Sequence, residues 1–250
     1  RAFAAGVASK VQLFENSPVK QLDREGGVWT ARTPRGSVSA PKVILAVNGH
    51  IQNFGHFKGR LMHVFTYASM TAGFRPSDFG RRASGADRWA LLPADPMGAT
   101  VRKITDRQGL GRIVVRTRFT YDPSMQVSDA RVAGIADLQR KSFVARFPEL
   151  AAVPMEYSWG GRLCLTLNNV PVFGEIEDGL FSACAENGLG TVKSTLAGVL
   201  AVDLAAGIPS EMLASFKHQP APKRLPPEPF AWLGINGVMR WQELRAGREA

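Results

Sequence analysis

The chain has 250 residues, is 45% hydrophobic and carries a formal net charge of +10. A chain of this size buries a core as one large domain or two small ones, and the sequence contains no run of about 18 apolar residues that would indicate a membrane span. The basic residues are scattered, which disfavours nucleic acid as a partner. The two cysteines lack metal-ligand spacing, so no metal site is predicted, and together with the lack of a signal-peptide pattern they indicate a cytoplasmic protein.

The first segments predict part of a layered α/β unit. Residues 1–8 have the pattern of the last turns of a helix, from which we expect the N-terminus of this chain to be cut. Residues 11–14 alternate like a strand, and residues 19–23 and 28–32 form a predicted hairpin. The apolar run 42–47 predicts a strand that is buried on both faces and ends at Asn48.

The middle of the chain predicts a separate lobe built on an antiparallel sheet. Its four strands are expected at 61–71, 89–93, 100–104 and 112–120, a long surface helix at 129–147 follows, and another strand is expected at 157–167. A further hairpin joins 171–173 to 180–184, and a buried helix runs from residue 191 to 206 with Gly207 as its C-cap. The proline-rich tail is expected to extend over the surface or over a partner.

The loop before this last helix contains a glycine motif. Gly188 and Gly190 have the spacing of the first two glycines of G-x-G-x-x-G, but Lys193 stands in place of the third. Glycines at a helix N-terminus leave backbone N–H groups aimed at a ligand, which favours an anionic group there. A second interpretation is a tightly packed turn without any ligand.

Several segments, taken in order, resemble one family: the FAD-dependent oxidoreductases of the D-amino-acid oxidase and glycine/sarcosine oxidase type. Within that family they resemble most the γ-glutamylputrescine oxidoreductase branch. The segments are Asn16-Ser-Pro-Val19, residues 40–49, residues 89–102, residues 118–123, Trp159-Gly-Gly161 with Thr166, Asn168 and Pro171, and Asn187-Gly-Leu-Gly-Thr191. The resemblance implies an α+β/α/β fold: a partial FAD-binding domain of the glutathione-reductase type and an antiparallel-sheet substrate domain.

The resemblance also implies domain limits and cofactor contacts. Residues 1–55 and 161–210 would belong to the FAD-binding domain, 56–160 to the substrate domain, and 211–250 to a C-terminal tail. FAD would be contacted by Val19, Ala46, Asn48, Asn187, Gly188, Leu189, Gly190 and Thr191. The family's N-terminal G-x-G-x-x-G segment is absent from the sequence, so we expect the missing segment, or a partner chain that carries it, to complete the site, and the isolated chain to be inactive.

The substrate is expected to be a small-molecule amine. Where the amino-acid oxidases of this family have an Arg-Pro pair that binds the substrate carboxylate, this chain has Leu163-Cys164, and Arg162 is one residue early. The binding candidates are His63, Tyr67, Arg116, Arg118 and Trp159, each of which has an alternative role in the core or in surface ion pairs. No general base is assigned, because hydride transfer to flavin needs alignment more than a strong base.

The predicted function is therefore oxidation of a C–N bond by hydride transfer to FAD, with a glutamylated polyamine as one substrate. Two alternatives stay open: a subunit of a split amino-acid oxidase or dehydrogenase, and a non-catalytic binding module that keeps the flavin cleft.

Overall fold

The computed structural model describes residues 2–75, 77 and 86–247. The chain divides into two compact units. The first unit comprises residues 1–56, 172–184 and 189–220, and the second comprises residues 57–171, 185–188 and 221–250. The predicted domain boundary at residue 160 lies inside a strand of the second unit.

In chain order, the helices and strands are α1 (Ala2–Val7), β1 (Gln21–Glu25), β2 (Val28–Thr33), β3 (Gly36–Ala40), β4 (Val43–Leu45), β5 (Leu61–Thr71), β6 (Trp89–Leu91), β7 (Thr100–Thr105), β8 (Gly111–Tyr121), α2 (Asp129–Arg146), β9 (Met155–Thr166), β10 (Val172–Glu177), β11 (Leu180–Cys184), α3 (Thr195–Ala206), α4 (Glu211–Lys217) and α5 (Phe230–Ala246). Short 3-10 helices cover Asn48–Phe54 and Pro148–Leu150, and a π-helical turn covers Gly190–Ser194.

The first unit contains two small sheets. One is antiparallel with the order β1-β2-β3, and the other has the order β10-β11-β4, in which β4 and β11 are parallel. The Trp29 indole Nε1–H donates to the Asp178 carbonyl at 3.0 Å, which attaches the first sheet to the turn between β10 and β11. Gly179 in that turn has φ +74°, and a Cβ there would lie 2.5 Å from the Pro41 oxygen, so only glycine fits.

Helix α3 packs on β10 and β11 and ends as the sequence predicts. Gly207 takes the left-handed conformation at φ 74°, and its N–H donates to the carbonyls of Asp203 and Leu204. The Lys42 ammonium donates to the Ala205 carbonyl in the last turn, where the helix dipole favours a cation. The helix is only half buried, however, because Val199 and Val202 are 56% and 55% exposed. The prediction that it is buried on all sides is wrong for this surface.

The second unit contains an antiparallel sheet with the order β6-β7-β8-β5-β9, the long helix α2, which packs on β5, β8 and β9, and helix α5, which packs on β8. Helix α2 begins at the N-cap Ser128, whose hydroxyl accepts from the Arg131 N–H. Its Phe143 is fully buried and packs with Ile113 and Val115 of β8. Its Gln139 amide donates to the Tyr67 carbonyl at 2.9 Å. The predicted strands and the helix of this lobe are confirmed, as is the α+β fold.

One other sequence prediction is wrong. Residues 11–14 form no strand, and Val11, Leu13 and Phe14 are all more than half exposed, because nothing in the described chain pairs with them. The proline-rich tail runs over the surface of the second unit, where the Leu225 N–H donates to the Gly59 carbonyl at 2.8 Å, and its last part folds into α5. The periodicity of α5 was obscured in the sequence because large apolar residues occur on both of its faces.

Among the described residues, no single helix is both long and apolar enough to cross a membrane. The segments Gly190–Ala206 and Glu211–Lys217 together have the length and hydropathy of a span but are bent by 99°.

Candidate functional site

One face of the five-stranded sheet carries a group of polar and aromatic side chains that α2 does not cover. Ala68 in the middle of β5 lies opposite Trp159 on β9 and opposite Arg116 on β8. Residues directly opposite each other project from the same face of a sheet. Arg116 in turn lies opposite Thr100 of β7. Trp159 and Arg116 therefore flank a small residue, which leaves a depression between them.

This depression is a cavity of about 250 Å³, to which Thr66, Thr100, Arg102, Arg116, Trp159 and Gly161 contribute. Arg116 Nη2 donates to Thr100 Oγ1 at 2.9 Å, which fixes the guanidinium. Burial, and secondarily the neighbouring charge of Arg102, lowers the pKa of Arg116. An arginine still keeps its proton, so the cavity presents two cations, and its described lining residues include no Asp or Glu.

Two of the predicted substrate-binding residues lie on the opposite face of the sheet. Tyr67 is 1% exposed, its hydroxyl is 2.6 Å from Thr120 Oγ1, and its ring packs with Phe65 and with Ile135 of α2. His63 is 2% exposed and alternates with them along β5. The Tyr67 ring therefore packs in the interior beneath α2, although the residue is also one of those that line the cavity, and His63 is not among the described lining residues.

Arg118 also lies away from the cavity, although it is only two residues from Arg116. The pairing of β5 with β8 shifts between Thr66 and Tyr67, and Arg118 has φ +66° at this bulge. Arg118 Nη1 donates to Glu243 Oε2 at 2.6 Å, and the other oxygen of that carboxylate accepts from the Phe119 N–H at 3.2 Å. The bulge therefore diverts Arg118 into an ion pair with α5.

The part of β9 that follows Trp159 has no arginine on the open face of the sheet. Arg162 lies opposite Phe65, on the covered side, and its Nη1 donates to the Met125 carbonyl at 3.0 Å. After Gly161, the next residue of β9 on the open face of the sheet is Leu163. Cys164 is 3% exposed, as expected for a structural thiol.

A second group of candidate residues lies in the first unit, at the carboxyl ends of the parallel strands β4 and β11. Residues that follow neighbouring parallel strands meet at one edge of a sheet, where ligands bind in α/β folds. Ala46 and Asn48 follow β4 and are exposed there. The Cys184 Sγ–H, at the end of β11, donates to the Leu45 carbonyl at 3.1 Å, and burial raises the pKa of this thiol. The two strand ends are thus held together by an uncharged group.

The N-terminus of the helical segment that leads into α3 is exposed. Leu189 is 58% and Val192 74% exposed, and Gly190 and Thr191 are exposed between them. In the described structure, the first N–H of this segment that reaches an acceptor within it is that of Lys193, which donates to the Leu189 carbonyl at 2.9 Å. The earlier N–H groups are those that a helix N-terminus leaves without an intrahelical acceptor, and they carry its partial positive charge.

The turn before it, in the second unit, is built on Asn187. Its Oδ1 accepts from the Thr166 N–H at 2.8 Å, and its Nδ2 donates to the carbonyls of Val170 and Ala185 at 3.0 and 2.9 Å. The side chain is thus engaged within the protein. Asn187 and Gly188 have φ 51° and 81°, the left-handed region that Asn and Gly tolerate best.

These groups fit one edge of a flavin. The N–H groups at residues 190–192 lie at a helix N-terminus, which favours a cofactor edge that gains negative charge, and Ala46 and Asn48 are exposed where β4 ends. Val19 lies elsewhere in the first unit, in the segment before β1, and is 39% exposed. Within residues 2–75, 77 and 86–247, no three His, Cys, Asp or Glu side chains are grouped as a metal would require.

The predicted candidates include Tyr67, Arg116 and Trp159 of the cavity lining but not its other residues, which are Thr66, Ala68, Thr100, Arg102, Val114 and Gly161. Thr100 and Arg102 alternate on β7, and Ala68 alternates with Thr66 on β5. Alternation along β7 identifies Thr100 and Arg102 as neighbours on one face, but only strand pairing brings that face beside Arg116.

The chain was compared with known proteins. The family of FAD dependent oxidoreductases (DAO) matches residues 1–204. A probable oxidoreductase, OrdL, from Haemophilus influenzae is 25% identical over 221 residues, which cover 85% of this chain and 46% of that protein. The γ-glutamylputrescine oxidoreductase of Escherichia coli K12 is 24% identical over 226 residues, which cover 88% of this chain and 50% of that protein. The chain therefore spans about half the length of these relatives.

Solved structures have the same fold. Glycine oxidase from Geobacillus kaustophilus superposes with a TM-score of 0.64 at 20% identity, covering 85% of this chain and 54% of that one. L-proline dehydrogenase from P. horikoshii superposes with a TM-score of 0.61 at 17% identity, covering 86% and 56%. With the family match extending over most of its length, this chain belongs to the DAO family of FAD-dependent oxidoreductases.

Proposed function

We propose that the protein oxidises an amine at a C–N bond, using the open face of the five-stranded sheet to hold the substrate. The observation that carries this proposal is the placement of Trp159 and Arg116 on either side of Ala68, over a cavity of about 250 Å³. The substrate would lose a hydride from the carbon that bears nitrogen and a proton from the nitrogen, and the imine would then be hydrolysed. FAD, when bound, accepts the hydride and passes the electrons to oxygen or another acceptor.

The residues that we assign to the cofactor are Ala46, Asn48, Gly188, Leu189, Gly190 and Thr191. The N–H groups from residue 190 onward would donate to the flavin edge where negative charge develops, and the helix dipole would stabilise that charge. Asn187 would act indirectly, because its side chain holds the turn. Val19 would contact the adenine side through its backbone.

The cavity favours an amine whose carboxylate is distant from the reacting carbon. Leu163 takes the open-face position where a carboxylate-binding arginine is expected, and Arg162 points to the other face. Arg116 and Arg102 would bind an anionic group further away, and the exposed Trp159 ring offers a surface for the amine. A glutamylated polyamine has both groups in one molecule.

The ADP half of the cofactor needs a G-x-G-x-x-G segment, and residues 1–250 contain none. We assign it to a segment or a partner chain outside these residues. The chain alone is then expected to be inactive and to bind FAD weakly.

The test is reduction of the flavin in the complete holoenzyme under anaerobic conditions. γ-Glutamylputrescine, putrescine, sarcosine or glycine is added, and the rate of reduction is measured from the flavin absorbance. We expect reduction by γ-glutamylputrescine to be fastest. Reduction by sarcosine or glycine instead would support a split amino-acid oxidase, and no reduction by any amine would support a binding module. Tight FAD binding by residues 1–250 alone would contradict the assignment of the ADP half.

A further inference from the structure

The C-terminal helix α5 has an apolar face that the described chain leaves uncovered. We call this face the α5 stripe; it consists of Phe230, Leu233, Gly234, Gly237, Trp241 and Leu244. At about 100° per residue these positions fall within an arc of about 100° on one side of the helix. Phe230, Leu233, Trp241 and Leu244 are 66%, 58%, 56% and 81% exposed. Large exposed apolar surfaces of this kind mark interaction sites.

The opposite face of α5 is firmly attached, so the helix cannot turn to bury the stripe. Glu243 is 6% exposed and accepts from Arg118 and Arg240 at 2.6 and 2.7 Å. Asn236 exchanges two hydrogen bonds with the backbone of Tyr121, at 2.9 and 3.0 Å. These polar contacts orient the helix on β8, and in this orientation the α5 stripe faces away from the sheet.

Nothing in the described part of the chain requires glycine at the two glycine positions of the stripe. Neither has a positive φ, and a Cβ at Gly234 or Gly237 would meet nothing within 4 Å. A glycine inside a helix costs about 1 kcal/mol relative to alanine. What the glycines provide is a flat region on the helix surface, where a second backbone approaches closely.

The stripe is symmetric about Gly237. Leu233 and Trp241 are each four residues from it, and Phe230 and Leu244 are each seven residues from it. We propose that a second copy of this chain docks on the α5 stripe, with the two helices antiparallel and a two-fold axis passing at Gly237. In such a pair Leu233 of each copy meets Trp241 of the other, and Phe230 meets Leu244, as an isologous interface requires.

Charge supports a second copy over an anionic membrane surface. Of the two arginines of α5, Arg240 is paired with Glu243, and Arg245 lies over the Trp241 ring, with its Cζ 4.8 Å from the ring centroid. Helices that lie on membranes instead carry several basic residues along their polar face.

The grooves beside α5 add area to the interface. Two cavities, of about 430 and 550 Å³, are lined by Leu138 of α2 together with Arg240 of α5. A stable interface buries about 800 Å² on each partner. The stripe supplies part of that area, and the two cavities adjoin it, since Leu244 also lines the first and Leu233 and Gly237 also line the second.

The test is the mass of the purified protein in solution, measured over a range of concentrations by sedimentation equilibrium. We expect a dimer with a micromolar dissociation constant. Leu244→Glu should raise this constant at least about 30-fold, since it places a charge in an apolar interface. The matched control is Val238→Glu, on the same helix and 54% exposed but outside the stripe, which should leave the constant unchanged.

Gly237→Leu separates docking from folding. The side chain has open space within one copy and favours the helix, so the thermal midpoint should not fall, while the dissociation constant should rise at least about tenfold. Gly237→Cys should give a disulfide-linked dimer on mild oxidation. Gly234→Cys should not give a disulfide, because the two residues at position 234 of the pair lie about 9 Å apart along the helix axis, too far for a disulfide. The natural Cys164 and Cys184 are 3% and 1% exposed and do not compete.

A monomer at all concentrations up to about 100 µM would overturn the proposal. A dimer that Leu244→Glu and Val238→Glu weaken equally would also overturn it. So would binding of the stripe to vesicles of anionic phospholipid without dimer formation.

Discussion

The side-chain amide of Asn187 bridges Thr166, at the end of β9, and the chain that follows it. Its Oδ1 accepts from the Thr166 N–H at 2.8 Å, and its Nδ2 donates to the Val170 carbonyl at 3.0 Å. The turn that leads to the proposed flavin-binding N–H groups is therefore held by one side chain.

Replacement of Asn187 should destabilise the protein in two separable ways. Asn187→Gly keeps the left-handed backbone but removes the hydrogen bonds, which we expect to lower the free energy of unfolding by about 2–3 kcal/mol. Asn187→Ala should cost about 1 kcal/mol more, because alanine is strained at φ 51°. Urea unfolding measures both values, and Gln242→Ala on the exposed side of α5 is the control. Equal stability of the two variants would contradict the strain.

Arg116 and Arg118 give a matched test of the substrate cavity. Arg116→Met should raise KM for an anionic amine substrate about 10- to 100-fold, because a charged hydrogen bond is lost, and should change kcat much less. Arg118→Met should leave KM unchanged and lower stability, because it leaves the buried Glu243 with one cation fewer. Steady-state kinetics on the holoenzyme and thermal unfolding distinguish them. The proposed cavity would be wrong if the two variants exchanged these effects.

Acid should destabilise the second unit through Asp106. Partial burial raises the pKa of this carboxyl, but hydrogen bonds from Arg112 and from the N–H groups of Leu110 and Gln108 together outweigh burial and lower it. A lowered pKa in the folded state means that the stabilisation is present above the unfolded value of about 3.9 and is lost as pH falls through the folded value. Asp106→Asn should reduce the loss of stability below about pH 5 in urea titrations. An unchanged acid profile would contradict this role.

Alkali should act through Tyr121. Burial, with the hydrogen bond to Glu228 Oε1 at 2.7 Å, raises the pKa of the phenol far above its ordinary value. The unfolded chain releases this proton near pH 10 while the folded protein retains it, so stability falls as pH rises above about 10. Tyr121→Phe should cost about 1 kcal/mol at neutral pH and flatten the alkaline decline. Urea unfolding from neutral pH to about pH 11 measures the difference in slope. Parallel profiles for the two proteins would exclude Tyr121 as the cause.

The sequence by itself determined the local elements whose signals are strong and short in range. The sequence predicts the alternation of β5 and β8, the capped helix α2 and the end of α3 at Gly207. Hydrophobic periodicity and helix capping depend only on residues a few positions apart. The ordered set of motifs identified the family. The α5 stripe was not readable, because a helix with apolar residues on two faces shows no single hydrophobic side.

Only the tertiary structure decided which side chains form the cavity. Alternation divides β5 into a Tyr67 face and an Ala68 face, but it does not say which of them α2 covers. Likewise, Arg116 and Arg118 are equivalent in a regular strand, and the bulge at Arg118 separates them. Strand pairing, helix docking and register shifts depend on contacts between residues far apart in the chain, and those contacts place Trp159, Arg116 and Thr100 around one small alanine.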